Sequence, residues 1–357
     1  MKIKNIALVA LLSSSMMVGA SNAQVKITGY TEAEYSVGSS KNINPGFRAA
    51  NSLWDAATAT TSVPSTPRIG NETQVRLTTT HSLPGGLTAE AMAELRRNAN
   101  VWEEREVRLG AADGSWLVFA GADFQRGIEI ARTINPTVNN RVTDIVGSVT
   151  GLIDVIDSTS GNTYAGFEFP KAGPGRLSFA FMPNSDDAVT SGTDGGPTAA
   201  TNQGESRFSV GYAGTVGGTT FGAGYLKGNN RVAGASDSEA FTVGARHAMG
   251  PISIGFQYQD QDFAPTATGT AKSSQEQWTV SGTYALTKEF SLGYARTEAE
   301  QTNAGVKQTG EVKQDLFQAA YNFGPAVAQL DYVKVDEAQY TTNREINAVK
   351  AKLKVNF

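Results

Sequence analysis

Alternation of apolar and polar residues with a period of two is the feature that most constrains the fold of this chain. In the stretch GRLSFAFMPN, Leu177, Phe179 and Phe181 share one face of an extended strand, and Arg176 and Ser178 occupy the other. The same alternation occurs in PISIGFQYQD, in EQWTVSGTYAL and in VKAKLKVNF at the end of the chain. Because successive side chains of a strand point to opposite faces, this period predicts strands and not helices.

Runs of this kind predict sixteen strands. They cover residues 25–37, 74–83, 87–98, 102–112, 116–125, 163–170, 176–183, 205–214, 219–227, 239–248, 251–259, 275–286, 290–301, 314–323, 327–336 and 344–357. Tight turns rich in Gly and Pro, such as Pro84-Gly85-Gly86, alternate with mostly longer connections. Short connections at one end and long ones at the other predict an antiparallel up-and-down β-barrel.

The predicted strand number indicates that the apolar faces meet lipid. A ring of sixteen strands is too wide for side chains to fill, so it encloses an aqueous lumen, and the apolar faces then point outward. The strands are about 9–11 residues long, as membrane strands require. Aromatic residues near the strand ends fit two interfacial belts. The alternative is a soluble secreted β-protein in which these aromatics cap an apolar core.

The N-terminus carries the features of a signal peptide at residues 1–23. Lys2 and Lys4 form a basic start, residues 6–18 are apolar or small, and Ser21-Asn22-Ala23 fits the cleavage rule. A single membrane-anchoring helix is the alternative, but the apolar stretch is shorter than the roughly 20 residues that span a bilayer. Residues 24–357 are therefore predicted to form the barrel domain.

Charge and composition argue against several classes of function. Without Lys2 and Lys4, 28 basic residues stand against 34 acidic ones, a net charge of −6, which disfavours a nucleic-acid binder. The chain has no cysteine and only two histidines, His81 and His247. His81 and Ser82 are adjacent and point to opposite faces of a strand, so they form no catalytic dyad. We predict neither an enzyme, nor a metal site, nor a cofactor.

With its signal peptide, alternating strands and terminal Phe357, the chain resembles the general diffusion porins of Gram-negative outer membranes. The last strand, with Val349, Leu353, Val355 and Phe357, looks like the assembly signal of that family. The resemblance implies a homotrimer in outer-membrane lipid, inserted by the barrel assembly machinery through the C-terminal strand. It also implies a water-filled channel for passive diffusion of ions and small hydrophilic solutes, narrowed by an inward-folded third loop.

The third long connection, Gln125 to Asn162, is the longest in the chain. Within it, apolar residues at 142–156 recur at spacings of three and four, which predicts a helix. Asp144, Asp154 and Asp157 lie off that apolar stripe. Packing of the stripe against the barrel wall would hold these carboxylates in the channel. The alternative is an external helix that covers a contact between subunits.

Parity sorts the strand charges, because a charge that faces lipid at the midplane costs about 2–4 kcal/mol. The predicted constriction sets Arg76, Arg96 and Arg108 on the wall against Glu129, Asp144, Asp154 and Asp157 of the third loop. Lys26, Lys350, Lys352 and Lys354 are predicted as basic lumen residues, and Glu32, Glu34, Glu90, Glu94, Glu106, Asp123, Glu168 and Asp331 also point inward. The alternative is that these charges pair across adjacent strands and contribute only to folding. Because the two signs are nearly balanced, the sequence does not indicate whether the channel prefers anions or cations.

Two other functions remain as alternatives, a substrate-specific outer-membrane channel and a secreted or surface β-protein acting as an adhesin. A sugar-specific channel is expected to carry a line of aromatic residues along its lumen. Here the inward positions are mostly small or charged, which favours non-specific diffusion.

Overall fold

The computed structural model describes residues 24–41, 63–64, 68–96, 101–122, 126–134, 163–183, 206–229, 237–263, 273–303, 305–340 and 342–357. The predicted signal peptide at 1–23, the predicted helix at 142–156 and the predicted lumen residues Asp123, Asp144, Asp154 and Asp157 lie outside these ranges. Within them, no helix has both the length and the apolar character needed to cross a bilayer.

Sixteen long antiparallel strands form a closed barrel in the described ranges, as predicted. They are β1 Gln24–Lys41, β2 Arg68–Leu83, β3 Leu87–Arg96, β4 Val101–Ala111, β5 Leu117–Ala122, β6 Thr163–Ala172, β7 Gly175–Met182, β8 Ser206–Val216, β9 Thr219–Asn229, β10 Glu239–Met249, β11 Ile252–Phe263, β12 Ser273–Ala285, β13 Phe290–Asn303, β14 Val312–Asn322, β15 Ala326–Asp336 and β16 Glu345–Asn356. Two short extended segments, Val63–Pro64 and Val306–Lys307, pair with β1 and β13.

Each strand pairs with its neighbours in sequence, and β1 pairs with both β2 and β16. Tyr30 lies opposite Asn356 and Val37 lies opposite Val349 in this closure seam. Beyond Asn356, Phe357 and Gly29 exchange two backbone hydrogen bonds of 3.0 Å each. A closed ring presents no unpaired strand edge, which is the condition for a sheet in hydrocarbon.

The two faces of the strands differ in the sense expected of a membrane barrel. On β11, Phe256 is 45% exposed, whereas the adjacent inward Gln257 is 8% exposed. The same contrast separates Phe181 from Met182 and Phe317 from Gln318, so large apolar side chains cover the outside. The tight turns keep their predicted places, and Gly85 and Gly86 take positive φ values of 78° and 73°, which glycine adopts without a Cβ clash.

The observed strand bounds differ from the predicted ones where the added residues show no apolar alternation. β1 continues to Lys41 and β2 begins at Arg68, beyond the predicted limits of 37 and 74. The residues that extend the two strands, 38–41 and 68–73, are polar or glycine except for Ile69, and one apolar residue does not make an alternation. Backbone pairing therefore extends past the lipid-facing band. The described part of β5 ends at Ala122, and residues 123–125 of its predicted range lie outside the described residues.

Candidate functional site

Charged residues on the inner wall are concentrated on one side of the barrel. We use the name charged arc for the inner faces of β16, β1, β2, β3, β4, β6 and β7. Its residues include Glu32, Glu34, Arg76, Glu90, Glu94, Glu106, Arg108, Glu168, Arg176, Lys350 and Lys352. Many of them bind a partner on an adjacent strand, which was the alternative to a role in the constriction.

Arg76 on β2 faces Glu94 on β3, because the register places these residues directly opposite each other. The guanidinium donates to Glu94 Oε2 from Nε at 2.9 Å and from Nη2 at 2.6 Å. Gln74 also donates to Glu94. The Arg76 side chain is 36% exposed, while the Glu94 side chain is fully buried. The lumen thus meets the cation of this pair and not its anion.

Arg108 on β4 binds two carboxylates of the charged arc. Its Nη1 lies 2.5 Å from Glu90 Oε1, and its Nε donates to Glu106. The Arg108 side chain is 22% exposed and that of Glu106 is fully buried. Arg96 is the last residue of β3, where its backbone pairs with Val101. The roles of Arg76, Arg96 and Arg108 in a constriction stay predictions.

Arg126 is the first described residue after β5, and it is buried at the inner wall. Its guanidinium contacts Glu106 Oε2 at 2.9 Å and Oε1 at 2.5 Å, and it contacts Glu168 Oε2 at 2.8 Å. Tyr164 donates to Glu106 at 2.7 Å, and the Phe119 ring lies 4.5 Å from the guanidinium carbon. We call these five residues the Arg126 anchor. Burial opposes the charged form, but the hydrogen bonds and charge of Glu106, with the charge of Glu168, raise the pKa of Arg126.

The segment after the anchor, Gly127–Ile134, is a 3₁₀-helix that packs on the inner face of β7, β8, β9 and β10. The Gly127 amide donates to Ser178 Oγ at 3.0 Å, and Ile128 packs against Leu226 and Ala240. A Cβ on Gly224 would lie 2.6 Å from Ile128 Cγ1, so this approach requires glycine. The described start of the third connection therefore runs inside the barrel.

Glu129 belongs to this 3₁₀-helix and is 4% exposed. Its amide donates to the Arg126 carbonyl at 3.2 Å, within the turn that follows the anchor. Its part in the constriction stays a prediction. Asp144, Asp154 and Asp157, which complete the predicted acidic set, lie outside the described residues.

The predicted basic lumen residues lie on or beside the closure seam. Lys350 Nζ is 2.7 Å from Glu34 Oε1, and Lys352 Nζ is 3.4 Å from Glu32 and 3.3 Å from Glu34. The Lys354 ammonium lies 3.4 Å from the centre of the Tyr30 ring. Lys26 is opposite Thr78 on the same inner face and is exposed. These contacts tie β16 to β1 by charge as well as by backbone hydrogen bonds.

The inner face of β11 to β15 is an amide wall, composed mainly of uncharged polar side chains. Its buried glutamines are Gln257, Gln259, Gln275, Gln277, Gln314, Gln318 and Gln329. Gln277 donates to Gln259 at 3.2 Å, and Thr279 and Thr297 form a hydroxyl pair at 2.9 Å. Such groups offer neutral donors and acceptors across the lumen from the charged arc.

Sequence reasoning missed the Arg126 anchor. Glu106 on β4 and Glu168 on β6 both point inward, while the strand between them contributes Phe119 and Gly121 to the same face. Two buried carboxylates beside an uncharged strand need a cation. That requirement was the available signal, and Arg126 is the first described residue after β5.

Comparison with known proteins decides the family. The sequence profile of the Gram-negative porins matches residues 7–351. The chain belongs to the Gram-negative porin family. A search of curated protein sequences found no significant match for this porin.

Solved structures share the fold of this porin at low sequence identity. The anion-selective porin from Comamonas acidovorans is 13% identical with a TM-score of 0.66, over 94% of this chain and 100% of that one. OmpT, an outer membrane protein of Vibrio cholerae, is 10% identical with a TM-score of 0.67, over 95% and 100%. Salmonella typhi OmpF is 11% identical with a TM-score of 0.65, over 93% and 97%. The porin is a channel of the outer membrane for passive diffusion.

Proposed function

We propose that this porin is a general diffusion channel for ions and small hydrophilic solutes, without catalytic activity, and that its narrowest part begins at the Arg126 anchor. The observation that carries this proposal is the path of the third connection. Arg126 turns the chain inward, and Gly127–Ile134 then lies on the inner wall. A segment held at this place reduces the cross-section of the lumen, opposite the exposed arginines of the charged arc.

The polar groups of the lumen support a channel without a dedicated solute site. Charges of both signs on the charged arc replace part of the hydration of a passing ion. The amide wall supplies donors and acceptors for neutral solutes. Aromatic side chains are rare on the described inner wall, and Phe119 and Tyr164 among them belong to the buried Arg126 anchor. This arrangement favours general diffusion over specific recognition of sugars.

We infer an anion preference from the unequal exposure of charge partners. Arg76 and Arg176 have side chains that are 36% and 35% exposed, while their partners Glu94 and Glu168 are 0% and 4% exposed. A permeating ion comes closer to the cation in these two pairs, and Coulomb energy falls with distance. In the pair of Lys350 and Glu34 the carboxylate is the more exposed partner, at 25% against 8%, and it opposes this preference. The proposed carboxylates Glu129, Asp144, Asp154 and Asp157 would oppose this preference and add a transverse field against Arg76, Arg96 and Arg108.

A charge-neutral double variant tests this inference. Replacement of both partners, Arg76→Gln with Glu94→Gln, leaves the net charge unchanged and removes an exposed cation together with a buried anion. We expect the reversal potential in a KCl gradient across a planar bilayer to shift toward cation preference. Lys307→Gln with Glu300→Gln is the matched control, because both partners of that pair are exposed. An unchanged potential in the Arg76 variant would contradict the exposure argument, and a wild-type protein without conductance would contradict the channel.

We further propose a homotrimer whose subunits meet through the outer faces of β1 to β4. The middle of this sector carries small residues, among them Ala33, Thr73, Ala89, Ala91 and Ala93. Phenylalanines cover the outside of β6 to β8 instead. Because the chain has no cysteine, Ala91→Cys can be cross-linked with a bifunctional thiol reagent, and Val243→Cys on β10 is the control. Linked oligomers from Ala91→Cys alone would support the sector, and a monomer in mild detergent would exclude the trimer.

The remaining proposals concern export and insertion. We propose that residues 1–23 are removed as a signal peptide, which leaves 24–357 as the barrel domain. We also propose that the barrel assembly machinery recognises β16 with Phe357. The N-terminal sequence of the protein purified from outer membranes tests the first proposal, because a chain that begins at Met1 would contradict it.

A further inference from the structure

The inner wall becomes apolar near the long-connection ends of β13 to β16. Leu316, Val333, Val335 and Ile346 are each 0% exposed, and they form one cluster with Ala295, Ala299, Val312 and Ala348. Register places Leu316 opposite Val333 and Val335 opposite Ile346 on the inward face. An apolar patch on the wall of an aqueous channel costs free energy unless another group covers it.

A 3₁₀-helix in the connection between β15 and β16 covers this patch. The helix is Ala338–Tyr340, and its two end residues are 0% and 3% exposed within the same cluster. Because the patch faces inward, its cover occupies the lumen and not the outer surface. Burial also raises the pKa of the Tyr340 phenol.

Two hydrogen bonds join this connection to the previous one. The Gly310 amide donates to the Tyr340 carbonyl at 3.1 Å, and the Glu311 amide donates to Glu337 Oε2 at 2.7 Å. Glu337 and Tyr340 have φ values of 55°, in the left-handed region that non-glycine residues rarely adopt. Such strain persists where packing and hydrogen bonds determine the conformation. We call residues 305–311 with 337–340 the mouth cap.

We propose that the mouth cap hinders the entry of large solutes at the outer mouth of this porin, ahead of the deeper constriction, and that Tyr340 and the hydrogen bond between Glu311 and Glu337 together hold the cap in place. The cap stands in front of four of the sixteen strands, so solutes enter beside the remaining wall. This position is remote from the Arg126 anchor, which lies on β4 to β6. The inference rests on the channel function of the family and is independent of the proposed ion preference.

Liposome swelling with sugars of increasing size measures the effect of the cap. For Tyr340→Ala we expect a higher rate for raffinose relative to arabinose, with KCl conductance close to wild type, because the deeper constriction limits small ions. Tyr332→Ala, on the outer face of β15, is the control that keeps the wild-type ratio. An unchanged ratio in folded Tyr340→Ala would overturn the proposal. If the wild-type protein admitted no arabinose into the liposomes, the channel function itself would be refuted.

A reversible lock keeps the proposal testable if Tyr340→Ala fails to fold. The pair Glu311→Cys with Glu337→Cys places the only two cysteines of the chain at the contact between the two connections. We expect the oxidised form to keep the wild-type ratio of raffinose to arabinose. Reduction removes both the disulfide and the Glu337 hydrogen bond, so the ratio should rise. The same ratio in both redox states would overturn the proposal.

Discussion

Replacement of Arg126 by Met should loosen the third connection at its entry into the lumen. The substitution removes a guanidinium that is 4% exposed and leaves the side chains of Glu106 and Glu168 at 0% and 4% exposure without it. Breaking a buried ion pair by removal of one partner costs about 3–5 kcal/mol. Glu106 retains Arg108 and Tyr164, and Glu168 retains Arg176 at 3.9 Å. We therefore place the loss at the lower end, about 3 kcal/mol.

Two measurements check this value. Equilibrium unfolding by guanidinium in lipid vesicles, followed by Trp fluorescence, should show this decrease in the free energy of unfolding. Because 1.4 kcal/mol is a factor of ten, a detached segment should become about 100-fold more populated, with more current noise and brief closures in single-channel records.

A triple variant separates the ion pair from packing. Arg126→Met with Glu106→Gln and Glu168→Gln also neutralises the two carboxylates that bind Arg126, so neither remains buried without its cation. Most of the lost free energy of unfolding should therefore return. Lys307→Met breaks a pair whose side chains are 68% and 49% exposed, so the free energy of unfolding should stay close to that of the wild type. Wild-type stability and quiet currents in Arg126→Met would refute the anchor.

Three further outcomes follow from local geometry. A Cβ on Gly29 would clash with the Gln74 carbonyl oxygen of β2 and would lie 2.7 Å from Phe357 Cζ, so Gly29→Ala should lower the yield of heat-modifiable folded barrel. Gly70→Ala, with no atom nearer than 3.9 Å, should leave that yield unchanged, and equal yields of the two variants would contradict the close approach. Deletion of Phe357 removes two seam hydrogen bonds of 3.0 Å and should impair assembly more than conductance, so normal membrane insertion of the truncated chain would count against this role. In the turn after β4, hydrogen bonds from Ser115 hold the pKa of Asp113 below its ordinary 3.8, so their stabilisation is complete above pH 3.8 and is lost as the pH falls through the lowered pKa. Ser115→Ala should raise that pKa in an NMR titration, and an unchanged value would exclude the hydroxyl as its cause.

The architecture was predictable because alternation states directly which face each residue occupies. Parity on β2 placed Arg76 and its neighbours Val75 and Leu77 on opposite faces, and sixteen such runs required closure. The extra length of β1 and β2 was not predictable, since residues 38–41 and 68–73 contain only one large apolar side chain, Ile69, and so show no alternation.

The site was predictable only in part, because parity fixes a face but not a partner. That Arg76 lies opposite Glu94 depends on the stagger between β2 and β3, which period two does not specify. The Arg126 anchor joins a residue outside the strands to Glu106 and Glu168, 20 and 42 positions away. Contacts of this range depend on how the chain enters the lumen, and no local pattern encodes that path.

The closure seam also affects the order in which this protein can fold. β1 pairs with β16, so Tyr30 can pair only after Asn356, over three hundred positions later in the chain, has been exported and folded. Contacts of such separation form slowly because the loop-closure entropy must be lost before they stabilise anything. Until the last strand arrives, β1 and the growing sheet each expose an unpaired edge that favours aggregation. The barrel is therefore most vulnerable between export and closure, and a partner that shields these two edges during that interval would contribute more to yield than any added stability of the finished ring.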